Sequence, residues 1–87
     1  MYSLKYTKKA AEDIPKLKAA KLDEKAKMLL EIIRENPYQN PPPYEKLKGN
    51  LSGAYSRRIN IQHRLVYTVH EEERTIKILS MWTHYDF

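Results

Sequence analysis

At 87 residues and a net charge of +5, the chain has the size of one small domain (1–87) and a charge that favours an anionic partner, nucleic acid or an acidic protein. It contains no cysteine, which excludes a disulfide framework and thiolate chemistry. It shows no leader pattern and no apolar run of membrane-spanning length, so the expected protein is cytoplasmic and has no membrane partner.

Residues 2–6 alternate Tyr2, Leu4 and Tyr6 with Ser3 and Lys5, the period of a half-buried strand. Thr7 then offers a hydroxyl as a helix N-cap. Ala10, Ile14 and Leu17 follow at helical spacing and predict one apolar stripe. Pro15 lacks a backbone donor and is expected to kink or split this helix near Ile14. Lys16, Lys18 and Lys21 read as a solvated face. A second helix starts at Asp23 or the residue before it. Ala26, Leu29, Leu30 and Ile33 form its apolar face, and Asn36-Pro37 ends it. Residues 37–49 read as a loop, with Pro41-Pro42-Pro43 a stiff, extended spacer that delivers Tyr44 and Glu45 beside a sheet.

Asn50-Leu51-Ser52-Gly53 is a turn signal. Two strand-like runs follow, 54–61 and 64–69, joined across 60–63. Leu65, Tyr67 and Val69 share one face of the second run, and Arg64, Val66 and Thr68 the other. Arg57, Arg58 and Arg64 crowd this hairpin. Burying unpaired guanidinium groups is costly, so they are expected to lie on a solvated face or to hold an anion. Arg57 and Arg58 are adjacent and so face opposite sides of the sheet, which prevents both from serving one site. Tyr55, Tyr67 and Trp82 read as core. Residues 70–74 form a charged turn, and 75–83 a last strand with Ile76 and Ile78 on one face and Lys77, Leu79 and Met81 on the other. Strand, two helices and a three-strand antiparallel run imply an α+β domain with one twisted sheet and its helices on one face.

The composition offers little to metal or cofactor chemistry. The histidines are scattered, no carboxylate cluster is evident, and the only glycines are Gly49 and Gly53, too few for a phosphate-cradling loop. No metal and no cofactor are expected. The residue types do suit RNA cleavage by the ribose 2′-hydroxyl. That reaction needs a base, an acid, and cations to offset charge on the phosphorane.

The segments Tyr44-Glu45-Lys46-Leu47-Lys48, Ser56-Arg57-Arg58-Ile59, His63-Arg64-Leu65-Val66-Tyr67 and His84-Tyr85 together resemble the YoeB/Txe group of toxins in the RelE superfamily of bacterial toxin–antitoxin modules. The likeness covers the second half of the chain; the first half matches in pattern. The resemblance implies a RelE-like fold and a metal-independent endoribonuclease that cuts mRNA in the ribosomal A site. It implies Glu45 as general base, His84 as general acid, Arg64 as the main phosphate clamp, Lys48 and Arg58 as supporting cations, and Tyr85 at the nucleotide or phosphate. It also implies a cognate antitoxin, operator DNA bound only by the toxin–antitoxin complex, and a homodimer as a further assembly. Two departures stand out. Lys46 replaces a proline common after the glutamate, and Asp86 and Phe87 follow the His-Tyr pair. Two rival readings keep the basic hairpin: a ParE-like inhibitor of DNA gyrase, which needs no general acid, and a nucleic-acid-binding module without catalysis.

Overall fold

The computed structural model describes residues 1–83. Its elements are β1 (Ser3–Tyr6), α1 (Lys8–Ala19), α2 (Asp23–Glu35), β2 (Glu45–Lys46), β3 (Ala54–Arg58), β4 (Arg64–His70) and β5 (Thr75–Thr83). The strands form one sheet in the order β1-β5-β4-β3-β2. The α+β architecture expected from the sequence is what the chain adopts. The sheet is mixed, however: β1 runs parallel to β5, with Ser3 opposite Thr75 and Tyr6 opposite Ile78. Two helices lie between β1 and the rest of the sheet, and so long a crossover lets a strand enter in the parallel sense.

The hydroxyl of Thr7 accepts a hydrogen bond from the Ala10 N–H at 3.1 Å and donates to the Leu79 carbonyl at 2.8 Å, so one side chain caps α1 and fastens it to β5. Pro15 does not split the helix, which is continuous from Lys8 to Ala19. The missing hydrogen bond is outweighed by packing, since Ala10 and Leu17 on either side are buried. The buried stripe is Ala10, Asp13 and Leu17, while Ile14 is more than one-third exposed. Helix α2 begins after Leu22, which caps it without a side-chain hydrogen bond, and buries Ala26, Leu29 and Ile33. These residues pack with Leu65, Tyr67, Ile76, Ile78 and Met81 in the main core. Fully burying each aliphatic side chain contributes about 1.5–3 kcal/mol.

Met81 lies on the face of Ile76 and Ile78, opposite to the simple alternation. The pairing of β4 with β5 shifts twice, between Arg64 and Val66 and between Val66 and Tyr67. Each shift leaves an extra residue on β5; the one next to Tyr67 and Ile78 reverses the alternation and carries Met81 to the core face, and the other reverses it again beyond Met81. Leu79 instead joins Leu47, Leu51, Ala54 and Val66 in a small cluster of its own. The turn after β4 is also shorter than expected, because His70 still belongs to the strand and pairs with Thr75.

Arg57 overturns the expectation that the hairpin arginines are solvated or hold an anion. It is 1% exposed and ranks among the largest fully buried side chains. Its guanidinium donates to the carbonyls of Pro42 (2.7 Å), Gln39 (2.9 Å) and Pro37 (3.0 Å), and to the Tyr67 hydroxyl (3.1 Å). It also sits 5.0 Å from the centre of the Tyr44 ring. The planar fork thus ties the proline loop to β3 and β4. In that loop the Asn40–Pro41 and Pro41–Pro42 bonds are cis. The Glu71 carboxylate accepts hydrogen bonds from Tyr38 (2.6 Å) and Tyr2 (2.7 Å). These bonds hold its pKa below the ordinary carboxylate value. Tyr38 is pushed up by desolvation and then by Glu71, and Tyr2 chiefly by its bond to Glu71.

Candidate functional site

Strand alternation builds the site. Ser56 and Arg58 are two residues apart on β3 and share a face. Glu45 on β2 is the register partner of Ser56, and Arg64 on β4 is the register partner of Arg58. Glu45, Ser56, Arg58 and Arg64 therefore stand on the sheet face turned away from Tyr55, Arg57 and Tyr67. With Pro43 and Tyr44 they line a cleft of about 280 Å³. Residues 45–46 read as loop because two residues are too few to show a period, yet this short edge strand is what brings Glu45 to the arginines.

The Arg64 guanidinium lies 3.5 Å from the Glu45 carboxylate and 3.5 Å from the Ser56 hydroxyl. The Arg64 side chain is 14% exposed and that of Glu45 52%. At this separation the ion pair is loose, and a half-exposed carboxylate gains little from it. Arg58 is exposed and directly opposite Arg64. Like charges in that relation repel, and an anion between them relieves the repulsion. The arrangement can seat a phosphate against two guanidinium groups with a carboxylate and a hydroxyl at its rim.

Of the six residues singled out from the sequence, the structure brings Glu45, Arg58 and Arg64 together. Lys48 is exposed ahead of the turn at Gly49–Leu51 and does not line the cleft. His84 and Tyr85 lie outside the described residues. Thr83, the residue before His84, is the register partner of Arg64. Sequence reading missed Ser56, although its spacing of two from Arg58 was a signal. It also missed Asp13, which is fully buried. The Asp13 carboxylate accepts the backbone N–H groups of Met81 (2.9 Å) and Trp82 (3.1 Å) and the Lys9 ammonium (2.7 Å), clamping the end of β5 to α1. Beside it the His63 ring stacks on Trp82, 3.8 Å between centroids. A more apolar groove between α1 and α2, lined by Tyr6, Ile14, Leu17 and Met81 among others, holds none of the candidate residues. Among the described residues no group of three or more His, Asp or Glu is placed to hold a metal ion.

The family model described as "YoeB-like toxin of bacterial type II toxin-antitoxin system" matches residues 6–85. The chain belongs to the YoeB-like toxin family. The match runs through the first half of the chain as well, where the sequence alone showed only pattern. Toxin YoeB of Synechocystis sp. is 43% identical over 65 residues, 75% of this chain and 73% of that protein. Toxin YoeB of Escherichia coli K12 is 42% identical over 53 residues, 61% of this chain and 63% of that protein. Among solved structures, a YoeB/ParE toxin from Agrobacterium tumefaciens superposes with a TM-score of 0.86 at 28% identity, covering 95% of this chain and 99% of that one. A YoeB–YefM complex from Staphylococcus aureus gives 0.81 at 40% identity, covering 98% and 99%. The YoeB-like chain is thus a toxin of a type II toxin–antitoxin system. No helix among its described residues is long and apolar enough to cross a membrane.

Proposed function

We propose that this YoeB-like toxin is a metal-independent endoribonuclease that cuts mRNA in the ribosomal A site. The observation that carries the reading is the cleft itself, in which Glu45 faces Arg64 and Arg58 on one side of the sheet. Glu45 takes the proton of a ribose 2′-hydroxyl, whose oxygen attacks the adjacent phosphorus. A P–O2′ bond forms and the P–O5′ bond breaks. His84 gives its proton to the departing 5′-oxygen, so the products are a 2′,3′-cyclic phosphate and a 5′-hydroxyl. Arg64 and Arg58 offset the charge that builds on the phosphorane oxygens, and Lys48 adds to the field that draws in the strand. Tyr85 orients the nucleotide. The pairing of Thr83 with Arg64 supports the role of His84, because Thr83 is the residue that precedes it in the chain.

Relatives in this family have been solved as a YoeB–YefM complex and as a YoeB dimer. By that likeness the chain has a cognate antitoxin and is able to dimerise; that it joins operator DNA only in complex with the antitoxin is part of the same proposal. Net charge of +5 suits an acidic antitoxin segment.

The test is growth arrest with mRNA end-mapping in cells expressing the wild-type chain, Glu45→Gln or His84→Ala. New ends inside translated codons, lost in both variants, are expected. Loss of a general acid or base lowers the rate about 10²–10⁴-fold. Arrest with intact mRNA and broken DNA refutes the ribonuclease and favours gyrase inhibition.

A further inference from the structure

The cleft at Glu45 does not end at Arg58. A second cleft of about 400 Å³ is lined by Lys25, Leu29, Pro42, Pro43, Arg58, Ile59, Asn60 and Ile61. It shares Pro43 and Arg58 with the first, so those two residues form a wall between adjoining spaces. The second space has a cation at each side, Lys25 on α2 and Arg58 on β3. Leu29 and Ile59 are buried in its floor, at 1% and 3% exposure. At the hairpin tip Ile61 is 84% exposed, the most exposed large apolar residue among those described. Among the described residues neither Lys25 nor Arg58 has a carboxylate within ion-pair distance.

We propose that this second cleft is a subsite for the RNA nucleotide next to the one being cut. Its phosphate lies between Arg58 and Lys25, and its ribose and base lie against the proline and isoleucine wall. This rests on the ribonuclease reading and extends it along the strand. Three features favour RNA over a peptide. The cleft adjoins the reaction cleft across Pro43 and Arg58, Arg58 lines both spaces, and the lining joins two cations to an apolar surface, as a nucleotide joins a phosphate to a base. Pro42 and Pro43 wall part of it, and their rings lose no side-chain conformational entropy when a strand is ordered against them. The subsite selects by backbone charge and apolar contact, and its walls carry only Asn60 as a neutral polar side chain for reading a base edge. It therefore tightens binding and fixes register without strong sequence preference.

The test uses purified ribosomes programmed with mRNAs in which one phosphate on either side of the cut site is replaced by an uncharged methylphosphonate. Cleavage by the wild-type toxin is compared with Lys25→Gln, Ile61→Ser and the control Lys27→Gln, whose lysine lines the other groove. Lys25→Gln is expected to raise KM roughly two- to fivefold, the scale of one exposed ion pair, with kcat unchanged. One methylphosphonate should raise the wild-type KM by at least as much, because it removes the charge that faces both Lys25 and Arg58, and should raise that of Lys25→Gln by a smaller factor, because the Lys25 contact is already gone. Ile61→Ser should raise KM on every substrate, and Lys27→Gln should behave as wild type. Additive losses, or no loss, overturn the subsite while the ribonuclease stands. If Lys25→Gln and Ile61→Ser cut normally but bind an acidic peptide more weakly, the cleft is a protein surface and the RNA assignment is wrong. If the wild type cuts none of these mRNAs, the ribonuclease reading falls and the subsite with it.

Discussion

Replacing Arg57 with methionine isolates the effect of one buried guanidinium. Exchanging buried ionic groups for hydrophobes is often harmless when both partners go. Here the partners are backbone carbonyls and cannot be removed. In Arg57→Met the Pro37 carbonyl keeps a donor, since the Tyr67 hydroxyl reaches it at 2.8 Å. The Pro42 and Gln39 carbonyls lose theirs. Each unsatisfied buried acceptor costs about 1–3 kcal/mol, and partial access to water puts these two toward the lower end. Adding the lost contact with Tyr44 gives a destabilisation of about 3 kcal/mol. Domains of this length are stable by roughly 4–13 kcal/mol, so the loss is a large share. It corresponds to a fall in Tm of about 12–24 °C. Arg58→Met, one residue along on the exposed face, should change stability by less than about 0.5 kcal/mol. Urea and thermal unfolding followed by circular dichroism measure both. If Arg57→Met is as stable as Arg58→Met, the view that Arg57 secures the proline loop is refuted.

Two more perturbations address other ties. Asp13→Ala strands the N–H groups of Met81 and Trp82 and should cost about 3–5 kcal/mol by urea unfolding; a cost under 1 kcal/mol would show that β5 is held elsewhere. Glu71 has a depressed folded pKa, so it adds stability that is complete above its unfolded value and lost as pH falls through the folded one. Tyr2 and Tyr38 have raised values, so theirs is complete below the unfolded tyrosine value and lost in alkali. Glu71→Gln should therefore flatten the acid side of a stability–pH curve measured in urea, and an unchanged acid side would contradict the network.

The sequence carried the elements well wherever periodicity was long enough to read. Both helices, four of the five strands and the opposite facing of Arg57 and Arg58 follow from spacing alone. The failures have local causes. One bulge on β5, between the partners of Tyr67 and Val66, moves Met81 to the other face, and no residue type announces it. The two residues of β2 are too few for a pattern. Asp13 reads as an ordinary polar position on a helix, and only the path of β5 over α1 shows what it binds. In the candidate site, Glu45, Arg58 and Arg64 were legible through the family motif. Ser56 was signalled only by its spacing of two from Arg58, and the adjoining cleft appears only once α2, the proline loop and the hairpin are brought together.

The place of β5 in the sheet has a consequence for how the protein is made. Of the described strands β5 is the last to be synthesised, yet it lies between β1 and β4. Residues 3–6 leave the ribosome first and have no sheet partner until residues 75–78 exist. Chains usually fold from the N-terminus as they emerge, but here the main core, which needs Ile76, Ile78 and Met81, cannot close early. The ladder joining the two ends also has high sequence separation, which slows folding. Residues 7–74 are therefore all translated before the molecule acquires its native core, and the arginine of β4 gains its partner on β5 only after that.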